Sequence, residues 1–279
     1  MRAPINKIID TSFVDGPGNR TAIFFQGCNY RCTYCHNPET IHLCRHCGLC
    51  VDSCPTHALS LVNGKVYWKE ELCCKCDTCL KTCPHLSSPR VTQMTVEEVL
   101  ERVERNRLFI QGITTSGGEC TLYRDFLVEL YKGAHELGLT ALIDSNGSMD
   151  FRLEPELLQV CDGVMLDVKS TDVEEYREMV GGDGSQILDR AEYLAQVGKL
   201  TEVRTVCSPG FLSEKTVRET SRRLAPYSPN GEIHYRITGY RHYGVREPYR
   251  SDIQEPTKEW LHHLKAIAQE EGMKNITVV

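Results

Sequence analysis

Cys28, Cys32 and Cys35 follow one another as Cys-x3-Cys-x2-Cys, which sets three thiols on one short loop. Three thiolates can grip three corners of a 4Fe-4S cube and leave the fourth iron without a protein ligand. A cluster that only carries electrons is closed by four Cys. An iron left open is instead a place where a molecule can be held and transformed. Zinc is the competing reading, yet a structural zinc takes four ligands and favours paired Cys-x2-Cys knuckles.

Eight further cysteines form two runs, Cys44-x2-Cys47-x2-Cys50-x3-Cys54-Pro55 and Cys73-x2-Cys76-x2-Cys79-x3-Cys83-Pro84. Each run resembles that of two-cluster bacterial ferredoxins, in which the fourth Cys serves the other cluster. That resemblance implies one closed cluster on Cys44, Cys47, Cys50 and Cys83, and a second on Cys54, Cys73, Cys76 and Cys79. Cys74 is spare or replaces Cys73. A zinc module is the alternative for this insert. Cys161 and Cys207 have no evident role.

The elements that must position these groups read as alternating strands and helices. A strand over Arg20 to Gln26, reached through the Asp15-Gly16-Pro17-Gly18 turn, delivers its C-terminal end at Cys28. Thr95 to Glu98 is a capping box opening a helix to about Asn106. Strands are expected over Phe109–Thr115, Leu139–Asp144, Gly163–Asp167, Leu200–Val206, Glu232–Thr238 and Asn275–Val279. Helices are expected over Asp125–Leu137, Pro155–Val160, Ser213–Leu224 and Pro256–Glu271, with two more between Asp172 and Val197. Alternation of this kind predicts an α/β fold whose parallel sheet curls into a partial (β/α)6 TIM-like barrel. Residues 1–39 and 90–279 would form it, with residues 40–89 an inserted ferredoxin-like domain in which Gly64 to Trp68 makes a hairpin strand.

A net charge of −6, from 32 basic and 38 acidic residues, gives no footprint for nucleic acid or an anionic membrane. The N-terminus lacks an apolar signal core and no apolar run is long enough to span a bilayer, so a cytoplasmic protein is expected. Its 15 cysteines then suit metal clusters in a reducing compartment better than disulfides.

The three-Cys loop resembles the signature of radical S-adenosylmethionine (SAM) enzymes, in which SAM chelates the open iron. The longer stretch from Asp15 through Arg20, Phe24, Gly27 and the three cysteines to His36-Asn37-Pro38-Glu39 is similar to the N-terminal signature of glycyl-radical-enzyme activating enzymes. That resemblance implies that Tyr34 and His36 lie against SAM, and that Gly117, Gly118 and Glu119 meet its ammonium group. Cys120 follows where the family usually has a small residue or proline, and reads as structural.

Asp144-Ser145-Asn146-Gly147 and Asp167-Val168-Lys169 resemble two further activase motifs. By resemblance, Asp144, Ser145, the Met165 carbonyl and Asp167 would bind a monovalent cation beside SAM. Ser145 and Asp167 would also border SAM itself, while Lys169 and Arg204 would meet its carboxylate or ribose. Arg241 and His242 compete for one SAM contact near the last large strand. Arg236-Ile237-Thr238-Gly239-Tyr240 is similar to the radical-bearing loop of glycyl radical enzymes, but it continues a strand and reads as a coincidence of short motifs.

The resemblance covers almost the whole chain and comes nearest the YjjW group of predicted activases. It implies three 4Fe-4S clusters, SAM, a glycyl radical enzyme as protein substrate, a flavodoxin or ferredoxin-like electron donor, and work without oxygen. The alternatives are a radical SAM enzyme acting on a small molecule or peptide, and a non-catalytic iron–sulfur electron carrier.

Overall fold

β-Branched and aromatic runs become strands and the amphipathic runs between them become helices in the computed structural model, which describes residues 1–279 apart from the Pro248 side chain. In chain order the elements are β1 (Arg2–Ser12), β2 (Arg20–Phe25), β3 (Leu59–Val62), β4 (Lys65–Trp68), α1 (Thr78–Thr82), β5 (Thr92–Thr95), α2 (Val96–Glu104), β6 (Gly112–Gly117), α3 (Arg124–Glu136), β7 (Thr140–Ser145), α4 (Pro155–Val160), β8 (Gly163–Asp167), α5 (Val173–Val180), α6 (Ile187–Gln196), β9 (Leu200–Cys207), α7 (Ser213–Leu224), β10 (His234–Gly239), α8 (Glu247–Arg250), α9 (Lys258–Glu270) and β11 (Ile276–Val278).

One sheet runs β11-β10-β9-β8-β7-β6-β2-β1-β5. The pairs from β2 through β11 are parallel, while β1 is antiparallel to both β2 and β5. The sheet stays open, with β11 and β5 at its edges, so the expected barrel is an unclosed one. Helices cover one face, where Ile113, Ile143, Leu166, Val203 and Ile237 are buried against them. Each such side chain contributes about 1.5–3 kcal/mol by leaving water. Cross-strand register lines up the other face: Asp144, Met165, Glu202 and His234 form one row, and Asp167, Arg204 and Arg236 form the next.

Three strands escaped the sequence reading: β1, β3, which is the first strand of the insert hairpin, and β5. β1 carries register shifts at Ile5/Lys7 and Ile9/Ser12, so its buried Ala3, Ile5 and Ile8 fall out of a simple period of two. β5 is only four residues long. The expected strand start at Phe109 is also moved: Phe109 is 71% exposed in a 3-10 turn, and pairing begins at Gly112. The capping box is as expected, with Glu98 N–H donating to Thr95 Oγ1 at 3.2 Å and Thr95 N–H to Glu98 Oε2 at 2.7 Å.

The Asp15 to Gly18 turn does more than admit β2. Gly16, at φ +118, packs against Arg20, Leu142 and Met165, so the turn folds beneath the N-terminal ends of the strands. Buried Arg20 braces it, donating to Thr114 Oγ1 (2.8 Å), the Ile113 carbonyl (2.7 Å) and the Thr140 carbonyl (3.0 Å). That end is closed, which leaves the C-terminal strand ends for chemistry.

Candidate active site

The three-Cys loop leaves β2 through Gly27, whose φ of +106 suits a residue without Cβ. Cys28 N–H donates to the Ile41 carbonyl at 2.8 Å. The loop amides of Arg31 and Thr33 donate to the carbonyls of Val180 and Met179, at 3.0 and 2.7 Å. Carbonyls of the last turn of α5 have no partner inside their own helix, and here they anchor the loop. From the far end of the chain, Arg246 Nη2 donates to the carbonyls of Arg31 and Cys32, at 3.1 and 3.0 Å.

Gly117, Gly118 and Glu119 are stitched to this loop. Glu119 N–H donates to the Gly27 carbonyl and Gly118 N–H to that of Phe25, at 2.8 and 2.9 Å. A Cβ at Gly117 would overlap the Phe25 backbone, and one at Gly118 the Gly27 carbonyl. The Glu119 carboxylate is buried and already well supplied. Its Oε1 accepts from Thr121 N–H (3.1 Å), Thr121 Oγ1 (2.6 Å) and Ser145 Oγ (3.3 Å), and its Oε2 from Asn146 N–H (2.7 Å). Asn146 Nδ2 in turn reaches Asn29 Oδ1 at 3.0 Å and Cys28 Sγ at 3.7 Å.

Asp144 and Asp167 both hold cations of the chain itself. Arg204 Nη1 lies 3.1 Å from Asp144, Ser116 Oγ donates to the same carboxylate at 2.9 Å, and Arg204 also pairs with Glu202. Lys169 Nζ lies 2.8 Å from Asp167 and 5.8 Å from the centre of the Tyr34 ring. Burial alone would lower Lys169, but Asp167 and its neighbours outweigh that and hold it well above the ordinary ammonium value. Burial raises Asp144 against the opposing pull of Arg204.

Tyr34 is buried beside Phe211, and its hydroxyl has no partner. His36 Nε2 donates to the Arg241 carbonyl at 3.1 Å, and the imidazole is lowered by burial. A Cβ at Gly244 would strike the His36 backbone, so residues 241–246 lie flush on the cysteine loop. His242 turns away from that loop and is tied to Glu255 (2.8 Å, through its backbone N–H) and to the Ile253 carbonyl (3.0 Å). Cys120 is fully buried with its thiol toward the carbonyls of Thr115 and Asp144, both at 3.5 Å, an internal packing position.

The loop's donor set fits an iron–sulfur cluster. Cys28, Cys32 and Cys35 are near enough for charge on one to raise another, and burial pushes Cys28 up to about 11 and Cys35 to about 12. Thiols in such a site ionise only when a metal replaces their protons. Among the described residues, no three His, Cys, Asp or Glu close on a single metal ion. The cysteines of the two later runs gather around two separate pockets. Cys44, Cys47, Cys50 and Cys83 line one pocket, and Cys54, Cys73, Cys76 and Cys79, with Cys74, line another.

The two insert loops share a backbone pattern. His46 and Lys75 (both φ 56°), Gly48 (81°) and Asp77 (59°), and His57 (53°) and Leu86 (50°) hold left-handed conformations at matching places in the two runs. His46 N–H thereby points to Cys44 Sγ at 3.4 Å. Successive amides turned to one side make an anion-binding concavity, which suits thiolates. The β3–β4 hairpin brings Val66 to the first cavity and Trp68 to the second.

Behind Arg204, Glu202 is 6% exposed. Burial alone would raise it, but hydrogen bonds from His234 and Arg204 outweigh this and hold it near about 2, against an ordinary 4.5. A depressed carboxylate stabilises the fold fully above its unfolded value and loses that contribution as pH falls through its folded one. Glu202→Gln is therefore expected to cost on the order of 2 kcal/mol near neutral pH. Its deficit in urea unfolding should shrink as pH drops below about 4.5; a deficit independent of pH would disprove the linkage.

Asn146, Arg246 and the α5 carbonyls are parts of the site that sequence reasoning missed. Asn146 stood inside the Asp144 to Gly147 motif and was legible there, whereas nothing near Arg246 in sequence points to the cysteine loop.

The sequence model of the Radical SAM superfamily matches residues 22–224. Indoleacetate decarboxylase activating enzyme of Tractidigestivibacter scatoligenes is 28% identical over 99% of this chain and 97% of its own. Pyruvate formate-lyase 1-activating enzyme of Escherichia coli K12 is 28% identical over 94% of this chain and 93% of its own. Among solved structures, Streptococcus suis SuiB bound to precursor peptide SuiA superposes on 91% of this chain and 47% of its own, with a TM-score of 0.55 and 13% identity. A radical SAM methyltransferase from Sphaerobacter thermophilus does so over 93% and 66%, with a TM-score of 0.54 and 13% identity. The structures share the fold, and the family match spans the cysteine loop together with strands β6 to β9 that carry its neighbours, so this chain belongs to the radical SAM superfamily of enzymes.

Proposed function

We propose that the chain is a glycyl-radical-enzyme activating enzyme, the activity named for its full-length relatives. The observation that carries the reading is the single hydrogen-bonded unit formed by the cysteine loop, Gly118, Glu119 and Asn146 at the C-terminal strand ends. When bound, a reduced 4Fe-4S cluster with SAM on its open iron supplies methionine and a 5′-deoxyadenosyl radical, which removes a hydrogen atom from a glycine of the partner.

The chain's own residues do the holding. Cys28, Cys32 and Cys35 take the cluster. The glycines let backbone approach the SAM ammonium, and Glu119 Oε2, with one donor from Asn146, retains room for another. Tyr34 and His36 wall the site, and the Tyr34 hydroxyl is buried there without a partner. Lys169 and Arg204 present positive charge to its carboxylate or ribose. A monovalent cation at Asp144, Ser145, the Met165 carbonyl and Asp167 would have to compete with the two side chains already on those carboxylates. No general acid or base is needed, because the radical abstracts the hydrogen.

Residues 40–89 then hold two closed clusters on the two cysteine sets, fed by a flavodoxin or ferredoxin-like donor. Cavities lined by those same sets, and the repeated left-handed positions, support this division. Nearness to the YjjW group rests on the chain length, the short insert and Asp144-Ser145-Asn146-Gly147.

The test is anaerobic incubation of loaded protein with SAM, reductant and a glycyl radical protein encoded beside it. A glycyl radical signal in the partner's electron paramagnetic resonance (EPR) spectrum, lost when the partner's glycine is replaced by alanine, is expected. SAM cleavage with no radical in any such partner would favour a small-molecule or peptide substrate.

A further inference from the structure

The insert and the active-site loop are joined by a continuous bonded line. Cys83 Sγ lies 3.4 Å from Ser87 Oγ. The amide nitrogen of Ser87 belongs to the Leu86–Ser87 peptide, whose carbonyl accepts from His42 N–H at 3.1 Å. That nitrogen is in turn part of the Ile41–His42 peptide, whose carbonyl accepts from Cys28 N–H at 2.8 Å. His42 and Ser87 also form a parallel bridge, and Ser87 is 2% exposed, so the junction is dry and ordered. From one sulfur to the other, every step is a covalent bond or one of three hydrogen bonds.

Electronic coupling falls off much more slowly through bonds than through space, so a path of this kind outweighs parallel gaps of similar length. The other cysteine set lacks an equivalent. Among the described residues, the side-chain hydrogen bonds of Cys54 and Cys76 go to Thr56 and Thr78, inside the insert. The two sets share one apolar cluster instead, since Cys44, Cys54, Trp68 and Cys79 pack against buried Cys50, Leu59 and Val66.

We propose that the Ser87 hydroxyl and the Leu86–Ser87 and Ile41–His42 peptides are the electron bridge from the Cys44/Cys47/Cys50/Cys83 set to Cys28. The order of transfer is then donor, Cys54/Cys73/Cys76/Cys79 set, Cys44/Cys47/Cys50/Cys83 set, active site. One electron leaves the insert centre next to Ser87, which is oxidised, and enters the active-site centre, which is reduced. No proton moves, and the reductant is a one-electron carrier protein or, in vitro, dithionite. This inference rests on the cluster assignments of the proposed function.

The experiment is freeze-quench EPR of loaded wild type, Ser87→Ala and Ser87→Thr after mixing with dithionite. The active-site signal is recognised by its change on adding SAM, and the midpoint potential of each centre is titrated separately. In wild type the insert signals should appear before the active-site signal. Ser87→Ala should keep its iron and its potentials but lengthen that lag several-fold, and Ser87→Thr, which keeps the hydroxyl, should restore it.

An unchanged lag in Ser87→Ala, a lag explained wholly by a shifted potential, or an active-site signal that precedes the insert's in wild type would overturn the route. The wild-type order decides the matter even if Ser87→Ala fails to load. If SAM alters no signal at all, the active-site cluster itself is missing, and the functional reading falls together with the route.

Discussion

Cys32→Ala protein, reconstituted without oxygen, is expected to carry about eight iron atoms per chain where wild type carries about twelve, and to cleave no SAM. Cys32 is the middle cysteine of the loop, and its backbone carbonyl accepts from both Cys35 N–H (3.2 Å) and Arg246 (3.0 Å). Those contacts are backbone contacts and survive the substitution, so the loop keeps its shape while losing one of three thiolates. With only two thiolates the loop is expected to lose its cluster, whereas the two later pockets are lined by other cysteines and are expected to keep theirs. Formation of 5′-deoxyadenosine should fall at least about a thousandfold, some 4 kcal/mol of barrier. Appreciable cleavage by a variant shown to lack the loop cluster would refute the mechanism. About eight irons in wild type would mean that the loop holds none.

Gly117→Ala carries the second large effect. The residue has φ +118, a conformation L side chains rarely adopt, and its new Cβ would overlap both the backbone nitrogen and oxygen of Phe25. Neither can yield, because Phe25 is paired in the sheet and its carbonyl already accepts from Gly118 N–H. Strain and overlap together are expected to cost about 3 kcal/mol or more in urea unfolding. The displacement passes directly to Glu119 and Cys28, so SAM binding should be lost as well. Gly198→Ala is the matched control: φ is +68 there, but no atom lies within 4 Å of the new Cβ, so only about 1 kcal/mol is expected. Equal losses at the two positions would mean that the close approach at Gly117 is not what matters.

Much of the site was legible because its parts are local. Spacing alone placed Cys28, Cys32 and Cys35 on one loop. Gly117 and Gly118 revealed a close backbone approach, and the cap at Thr95 was written in four residues. Partners distant in sequence were less legible. Lys169 and Arg204 read as ligands for SAM, and the fold first pairs them with Asp167 and Asp144. Glu119 read as an acceptor for the SAM ammonium group, and it also organises Ser145 and Asn146. Nothing in the residues around Arg246 signals that it reaches back some two hundred positions to two loop carbonyls.

The sequence by itself determined the chemistry on offer: three thiols for an open cluster, two four-thiol runs, and strands that alternate with helices. Those features follow from spacing and periodicity, which act within a few residues and survive any rearrangement of the rest. Only the tertiary structure decided that the sheet stays open, that the Asp15 to Gly18 turn closes its far end, and that the second cysteine run is tied to the Cys28 loop through Ser87 and His42. Such outcomes depend on which distant backbone groups find one another once the core has packed, and hydrogen bonds between positions that far apart leave no periodic trace in the chain.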